Sequence, residues 1–212
     1  AYPDERLGII WIDAHSDMHS PYTTGSGNMH GMPLGAALGV DTQARDLINE
    51  LPNELPAADQ QRWNHLKALN GITPQILPED LVLIGVRFFK PEHTALIEQL
   101  GIPLHKVAAI REKGAAHYAE LIQQQLAHCD RLYVSFDVDS LDCDEVSYGT
   151  GTPEPDGLYM NEALILMKAF MANPKVSCLE IAEVNPVLDN KGNAMAEAAW
   201  EILAGTIGRN LE

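Results

Sequence analysis

Residues 9–17 read Ile-Ile-Trp-Ile-Asp-Ala-His-Ser-Asp, four apolar side chains followed at once by two carboxylates and an imidazole. An unbroken apolar run belongs to a strand buried on both faces, as in a parallel sheet covered by helices. Asp13, His15 and Asp17 then fall at every second position. On extended backbone they share a face, and at a strand end the turn gathers them around one point. Charge at the end of a buried strand is stable only when it is paired or bound to a cation. Carboxylate mixed with imidazole suits a divalent metal better than thiolate chemistry does. The plainer account is that Asp and His are common in turns after strands.

A second copy of the design favours the metal. Leu132-Tyr133-Val134-Ser135-Phe136 is another apolar run, and it leads into Asp137, Asp139 and Asp142. In an open α/β sheet such strand ends lie side by side at the carboxyl edge, where ligands bind. Five potential ligands converging there, Asp13, His15, Asp17, Asp137 and Asp139, exceed what a mononuclear site needs. A pair of metals sharing bridging carboxylates accounts for the surplus.

Further apolar runs at Leu81–Val86, with Arg87 at its end, at Ile102–His105 and at Val176–Ala182 predict three more strands. Amphipathic spacing predicts helices over 34–50, 57–69, 91–100, 110–128, 159–171 and 193–207. Strands alternating with helices at these intervals give a three-layer α/β/α sandwich with a mostly parallel sheet, here one domain over residues 1–212. Residues 18–33 and 147–158, rich in glycine, proline and hydroxyls, are loops that follow the two carboxylate strands. In the first, Thr24, Ser26 and Asn28 offer neutral hydrogen bonds to a polar small molecule. His30 is a candidate proton carrier, since imidazole changes charge near neutral pH. Taken alone, a surface loop with an incidental histidine is the preferred account of that stretch. Glu183 follows the last strand in the position that Asp13 and Asp137 hold on theirs. It is a further ligand or a bidentate clamp for a planar cation, or equally a helix cap or a partner for Arg87.

The 212 residues, 46% hydrophobic, suffice for one full α/β core. Fourteen Lys and Arg against thirty Asp and Glu give a net charge of −16, which argues against nucleic acid or an anionic membrane as partner. Cys129, Cys143 and Cys178 lack C-x-x-C spacing, so the default setting is reducing and cytoplasmic. No stretch reaches transmembrane length, and the first residues lack a signal-peptide pattern. The first buried strand starts only eight residues in, so the expectation is a fragment of a longer chain.

Five blocks in order carry a family resemblance. Asp13-Ala14-His15-Ser16-Asp17, Ser135-Phe136-Asp137-Val138-Asp139-Ser140-Leu141-Asp142 and Glu183-Val184-Asn185-Pro186 resemble the signature blocks of the arginase/agmatinase (ureohydrolase) family. Gly27-Asn28-Met29-His30-Gly31 and Gly149-Thr150-Gly151-Thr152-Pro153 resemble two more and lean towards the arginase branch. The resemblance implies an arginase-like fold and a binuclear manganese hydrolase, with two Mn²⁺ per chain, that splits arginine into ornithine and urea through a metal-bridging hydroxide. It implies that Asp13 and Asp137 bridge the ions, that Asp17 completes one site, and that His15 and Asp139 complete the other. Asp17 would also pass a proton to the leaving amine, with His30 as mobile shuttle. Glu183 would hold the guanidinium beside Thr152, and Thr24, Ser26 and Asn28 would bind an amino acid's carboxylate. The family further implies a homo-oligomer, a trimer or hexamer.

Three departures qualify this picture. The family's Gly-Gly-Asp-His block, with one more metal histidine, has no counterpart, so the expectation is a chain lacking the family's N-terminal part, with one metal site weakened. His19 stands where arginases have Asn. Phe88-Phe89-Lys90 replaces a run in which arginases carry acidic residues, one of them contacting the substrate's amino group, and a lysine cannot accept a bond from an ammonium. The alternatives are a related hydrolase acting on guanidinobutyrate, agmatine or formiminoglutamate, and a non-catalytic relic of the fold.

Overall fold

The computed structural model describes residues 4–42 and 53–207. Five strands, β1 (Leu7–Ile12), β2 (Leu81–Ile84), β3 (Leu104–His105), β4 (Arg131–Asp137) and β5 (Val176–Ala182), form one sheet in the order β3-β2-β1-β4-β5. The β1–β4, β2–β3 and β4–β5 pairings are all parallel. The described α-helices are α1 (Pro33–Ala37), α2 (Ala57–Lys67), α3 (Pro91–Leu100), α4 (Val107–Lys113), α5 (Ala115–Gln125), α6 (Met160–Met171) and α7 (Ala194–Ile207). This is the α/β architecture that the alternation of apolar runs predicts. No helix among the described residues is long and apolar enough to cross a membrane.

The described residues divide into two compact units, 4–14 with 82–87 and 104–207, and 15–42 with 53–81 and 88–103. The first carries the sheet (Leu81 excepted) and α4 to α7. Alternate residues along its strands, Ile10 and Ile12, Val82 and Ile84, Val134 and Phe136, join one apolar core with side chains of those four helices. Each such side chain, fully buried, stabilises the fold by roughly 1.5–3 kcal/mol. The second unit has a smaller core of Met32, Ala36 and Trp63, edged by Tyr22 and Leu66. There the Asp41 carboxylate accepts from Trp63 Nε1 at 2.7 Å and from Lys67 Nζ at 2.6 Å.

Two predicted helices need correction. The one expected over 34–50 is the single turn and a half of α1. Gly39 at φ 70° and Thr42 at φ 53° leave the helical region, and residues 43–50 lie outside those described. The one expected over 110–128 is two helices, α4 and α5, starting three residues earlier and ending at Gln125. Gly114 separates them at φ 96°, ψ 137°, a conformation open to glycine but hardly to other residues. The expected helices at 57–69, 91–100, 159–171 and 193–207 appear within two residues of their limits. Pro91 opens α3, where its missing N–H costs nothing. Glu162 accepts from the Tyr159 N–H at 2.9 Å, closing the start of α6.

Candidate metal centre

The β1–β4 register decides where the carboxylates fall. Leu7 pairs with Arg131 and each successive residue follows to Ile12 with Phe136. Asp13 and Asp137 are therefore the next residues on two adjacent parallel strands, side by side at the carboxyl edge. Both are buried. Asp139 joins them from the 3₁₀ turn after β4. Its N–H donates to Asp137 Oδ1 at 2.8 Å, and a carboxylate oxygen of Asp139 lies within 4.8 Å of one on Asp13.

The surrounding chain holds this group in place. Asp139 Oδ1 accepts from the Ala14 N–H at 3.1 Å, and Oδ2 accepts from Thr152 Oγ1 at 3.1 Å. Trp11 Nε1 donates to Asp13 Oδ2 at 3.0 Å. Arg87, at the end of the β2 segment, donates to the carbonyls of Asp139 and Glu154 at 2.7 Å each and of Pro155 at 2.6 Å. One guanidinium thus ties the loop after β4 to the loop that carries Thr152. Asp142 turns its carboxylate on its own loop, accepting from the N–H groups of Asp144 and Glu145 at 2.9 and 3.2 Å.

Glu183 corrects the register expected for it. Asp137 pairs with Ala182, so Glu183 lies one residue beyond the level of Asp13 and Asp137. A shift in the β4–β5 ladder narrows this offset: Leu132 pairs with Val176 and Tyr133 with Cys178, which leaves Ser177 as an extra residue and carries Glu183 one step nearer that level. Glu183 itself takes a left-handed φ of 64° and is exposed. A side chain on Gly151 would stand 3.5 Å from Glu183 Oε2, which places this carboxylate over the loop of Thr152. Asn185 N–H donates to the Gly149 carbonyl at 2.8 Å and fastens the two segments together. Among the described residues the Arg87 guanidinium donates to carbonyls, not to Glu183.

The donor set of this unit fits a divalent cation. Burial first, then the negative charges of Asp139 and Asp13, hold the Asp137 carboxyl far above the usual carboxylate range. Three buried carboxyl groups at one point are unstable as anions without positive charge among them. Hard oxygen donors suit a hard divalent cation.

The second unit holds the other expected residues. The His15 ring lies 5.3 Å from the Phe88 ring. Asp17 has φ 51°, and its carbonyl accepts from the Leu34 and Gly35 N–H groups at 3.0 and 3.2 Å in the first turn of α1. Thr24 Oγ1 accepts from the Gly27 N–H at 3.0 Å and Ser26 Oγ from the Asn28 N–H at 3.2 Å, so hydroxyls shape their own loop. Ser26, Asn28 and His30 are exposed, and Thr24 is buried. His19 and His93 lie edge to face, centroids 4.2 Å apart. Burial chiefly, with the charge of Lys90, lowers His19 to about 4; burial, then His19 and Lys90, lowers His93 to about 3.

Across residues 1–208 the sequence matches the model of the Arginase family. The chain belongs to the arginase family. It is 31% identical to arginase of Bacillus subtilis (strain 168) over 98% of this chain and 62% of that one. A crystal structure of the B. subtilis arginase superposes with a TM-score of 0.80 at 30% identity, covering 98% of this chain and 63% of that chain. Entamoeba histolytica arginase, solved in complex with L-ornithine, superposes with a TM-score of 0.79 at 26% identity, covering 98% and 62%. The chain thus spans between about half and three fifths of the length of the curated relatives it matches.

In this arginase-family chain, two residues escape a motif search although they shape the centre. Arg87 is visible only as a cation at the end of an apolar strand, with no pattern naming its carbonyl partners. Trp11 counts as apolar in a periodicity argument, yet its indole N–H serves Asp13. A tryptophan two residues before a buried carboxylate on one strand face is the signal that could have found it.

Proposed function

We propose that the chain carries the catalytic centre of a manganese-dependent amidinohydrolase, acting as an arginase that converts arginine and water to ornithine and urea. The observation that carries this reading is the convergence of Asp13, Asp137 and Asp139 at adjacent parallel strand ends, with Thr152 and Glu183 brought to the same edge. In this reading Asp13, His15, Asp17, Asp137 and Asp139 would hold two Mn²⁺ ions. Such a pair, when bound, supplies Lewis-acid activation of water near neutral pH.

The remaining work belongs to the protein's own groups. The Glu183 carboxylate accepts N–H groups of the planar guanidinium in bidentate fashion and orients its carbon. Thr152, donating to Asp139, keeps that ligand in one rotamer. Thr24, Ser26 and Asn28 present hydroxyl and amide donors to the substrate carboxylate. Asp17 hands a proton to the leaving amine. His30, exposed at its loop, exchanges protons with bulk water through its imidazole. Homologous arginases support this reading, one of them solved with L-ornithine.

A second substrate class, a guanidino acid without an α-amino group, is favoured by one observation: the segment after Arg87 offers Phe88, Phe89 and Lys90, whose side chains carry no acceptor for an ammonium. The test is metal content and urea release for the full chain with arginine and with guanidinobutyrate. About two Mn²⁺ per chain with urea formed is the expected result, and Asp137→Ala is expected to lose both. Wild type holding one ion or none and releasing no urea would identify a non-catalytic relic instead.

A further inference from the structure

The second unit contains a cluster that the hydrolytic reading does not use. Glu92 and His93 lie in the first turn of α3, and His19 lies on the segment after β1, where its N–H donates to the Gly31 carbonyl at 2.9 Å. One donor atom from each of the three side chains lies within 4.8 Å of the others. We propose that His19, His93 and Glu92 form a further divalent-cation site, selective for zinc-class ions over manganese.

Three features support the assignment. His93 Nε2 and His19 Nδ1 are 3.2 Å apart. Two nitrogens on one tetrahedral ion, each bonded at about 2.0–2.1 Å, stand roughly 3.3 Å apart, so the rings already hold ligand spacing. The other nitrogen of His93, Nδ1, is 2.8 Å from Ser16 Oγ, the outer hydrogen bond that fixes a metal-binding imidazole and leaves Nε2 for the ion. Glu92, next to His93 in the same turn, brings a carboxylate oxygen to the same point as the two imidazole nitrogens.

Two imidazoles and a carboxylate form the ligand set of zinc sites that keep a fourth position open. The imidazole content separates this set from the carboxylate-rich centre and shifts its preference from manganese towards zinc. Thr23 Oγ1, also 3.2 Å from His19 Nδ1, accepts from the Ser20 N–H at 3.1 Å and keeps the loop against the ring. Lys90 opposes a bound cation, since its charge is felt by both rings. Removing that charge should therefore tighten the site.

Zinc per chain, measured by equilibrium dialysis and mass spectrometry on metal-stripped full chain, tests the proposal. His93→Gln is expected to weaken one zinc equivalent by more than about a hundredfold, because a direct ligand matters more than an outer one. Lys90→Met is expected to bind that equivalent more tightly. An Asp13→Asn/Asp137→Asn double variant is expected to keep it, which makes this result independent of the hydrolase reading. Cobalt in place of zinc should give the intense visible bands of a four-coordinate ion in the double variant. Equal zinc affinity in wild type and His93→Gln, or loss of the equivalent in the double variant alone, overturns the proposal. Should His93→Gln fail to fold by circular dichroism, His19→Gln provides the same readout.

Discussion

Asp139 is anchored at both carboxylate oxygens before any ion arrives, by the Ala14 N–H and by the Thr152 hydroxyl. A ligand fixed in this way spends little entropy on binding, whereas one free to rotate spends more. Thr152→Val keeps the volume and removes the donor. It is expected to lower manganese affinity roughly 10–100-fold, with Thr152→Ser restoring most of it, as read by manganese titration of stripped protein. Unchanged affinity in Thr152→Val would show that Thr152 serves the substrate and not the ligand. At this scale the sequence was informative where chemistry is local: Asp13, Asp137 and Asp139 follow apolar runs, and a buried run cannot end in charge without a reason. Thr152 was legible only through family resemblance, because its role depends on a hydrogen bond to a residue thirteen positions away. The Glu183 register depends on Ser177, an extra residue in a ladder whose partner strand lies more than forty positions back.

Elements position the centre by close backbone contact. The loop bearing Thr152 returns to the chain after β4 through Leu158, whose N–H donates to the Ser140 carbonyl and whose carbonyl accepts from the Asp142 N–H, both at 2.9 Å. Gly157 makes that approach possible: a Cβ there would lie 2.4 Å from the Leu141 carbonyl carbon and 2.5 Å from the Asp142 nitrogen. Those are backbone atoms and cannot swing aside. Gly157→Ala is expected to cost about 1–3 kcal/mol of stability in urea denaturation, the range for overpacking a tight contact. A loss under about 0.5 kcal/mol would mean that the two segments separate freely. The five strands and four of the helices were legible because each rests on its own periodicity. The break at Gly114 was not, since a single glycine is tolerated inside helices and only the packing of α4 and α5 chooses its φ of 96°.

For the whole molecule, burial of ionisable groups couples stability to pH in two opposing ways. His19 and His93 are pressed below their free value of 6.5, to about 4 and about 3, by burial first. His15, His19 and Lys90 add to this, while Glu92 faces the pair across the cluster. In acid the unfolded chain takes up protons that the folded chain refuses. Their contribution is therefore complete above pH 6.5 and is lost as pH falls towards 3. Asp137 acts in the other direction. Its carboxyl is raised above 3.8 by burial, Asp139 and Asp13, so the folded chain keeps a proton that the unfolded chain releases. That contribution is complete below pH 3.8 and drains away as pH rises. Without metal, the two histidines outweigh Asp137 below pH 6.5, and Asp137 acts alone above it. Stability of the stripped chain is expected to peak near pH 6.5 and to decline towards pH of about 9, with a slope of about one proton. Manganese, which needs Asp137 deprotonated, should abolish the alkaline decline, and Asp137→Asn should abolish it without manganese. Urea denaturation of stripped, manganese-loaded and Asp137→Asn protein across this range provides the measurement. A stripped wild type that gains stability steadily above pH 6.5 would mean that Asp137 is already ionised and balanced by the protein, and that the carboxylate edge has no need of a cation.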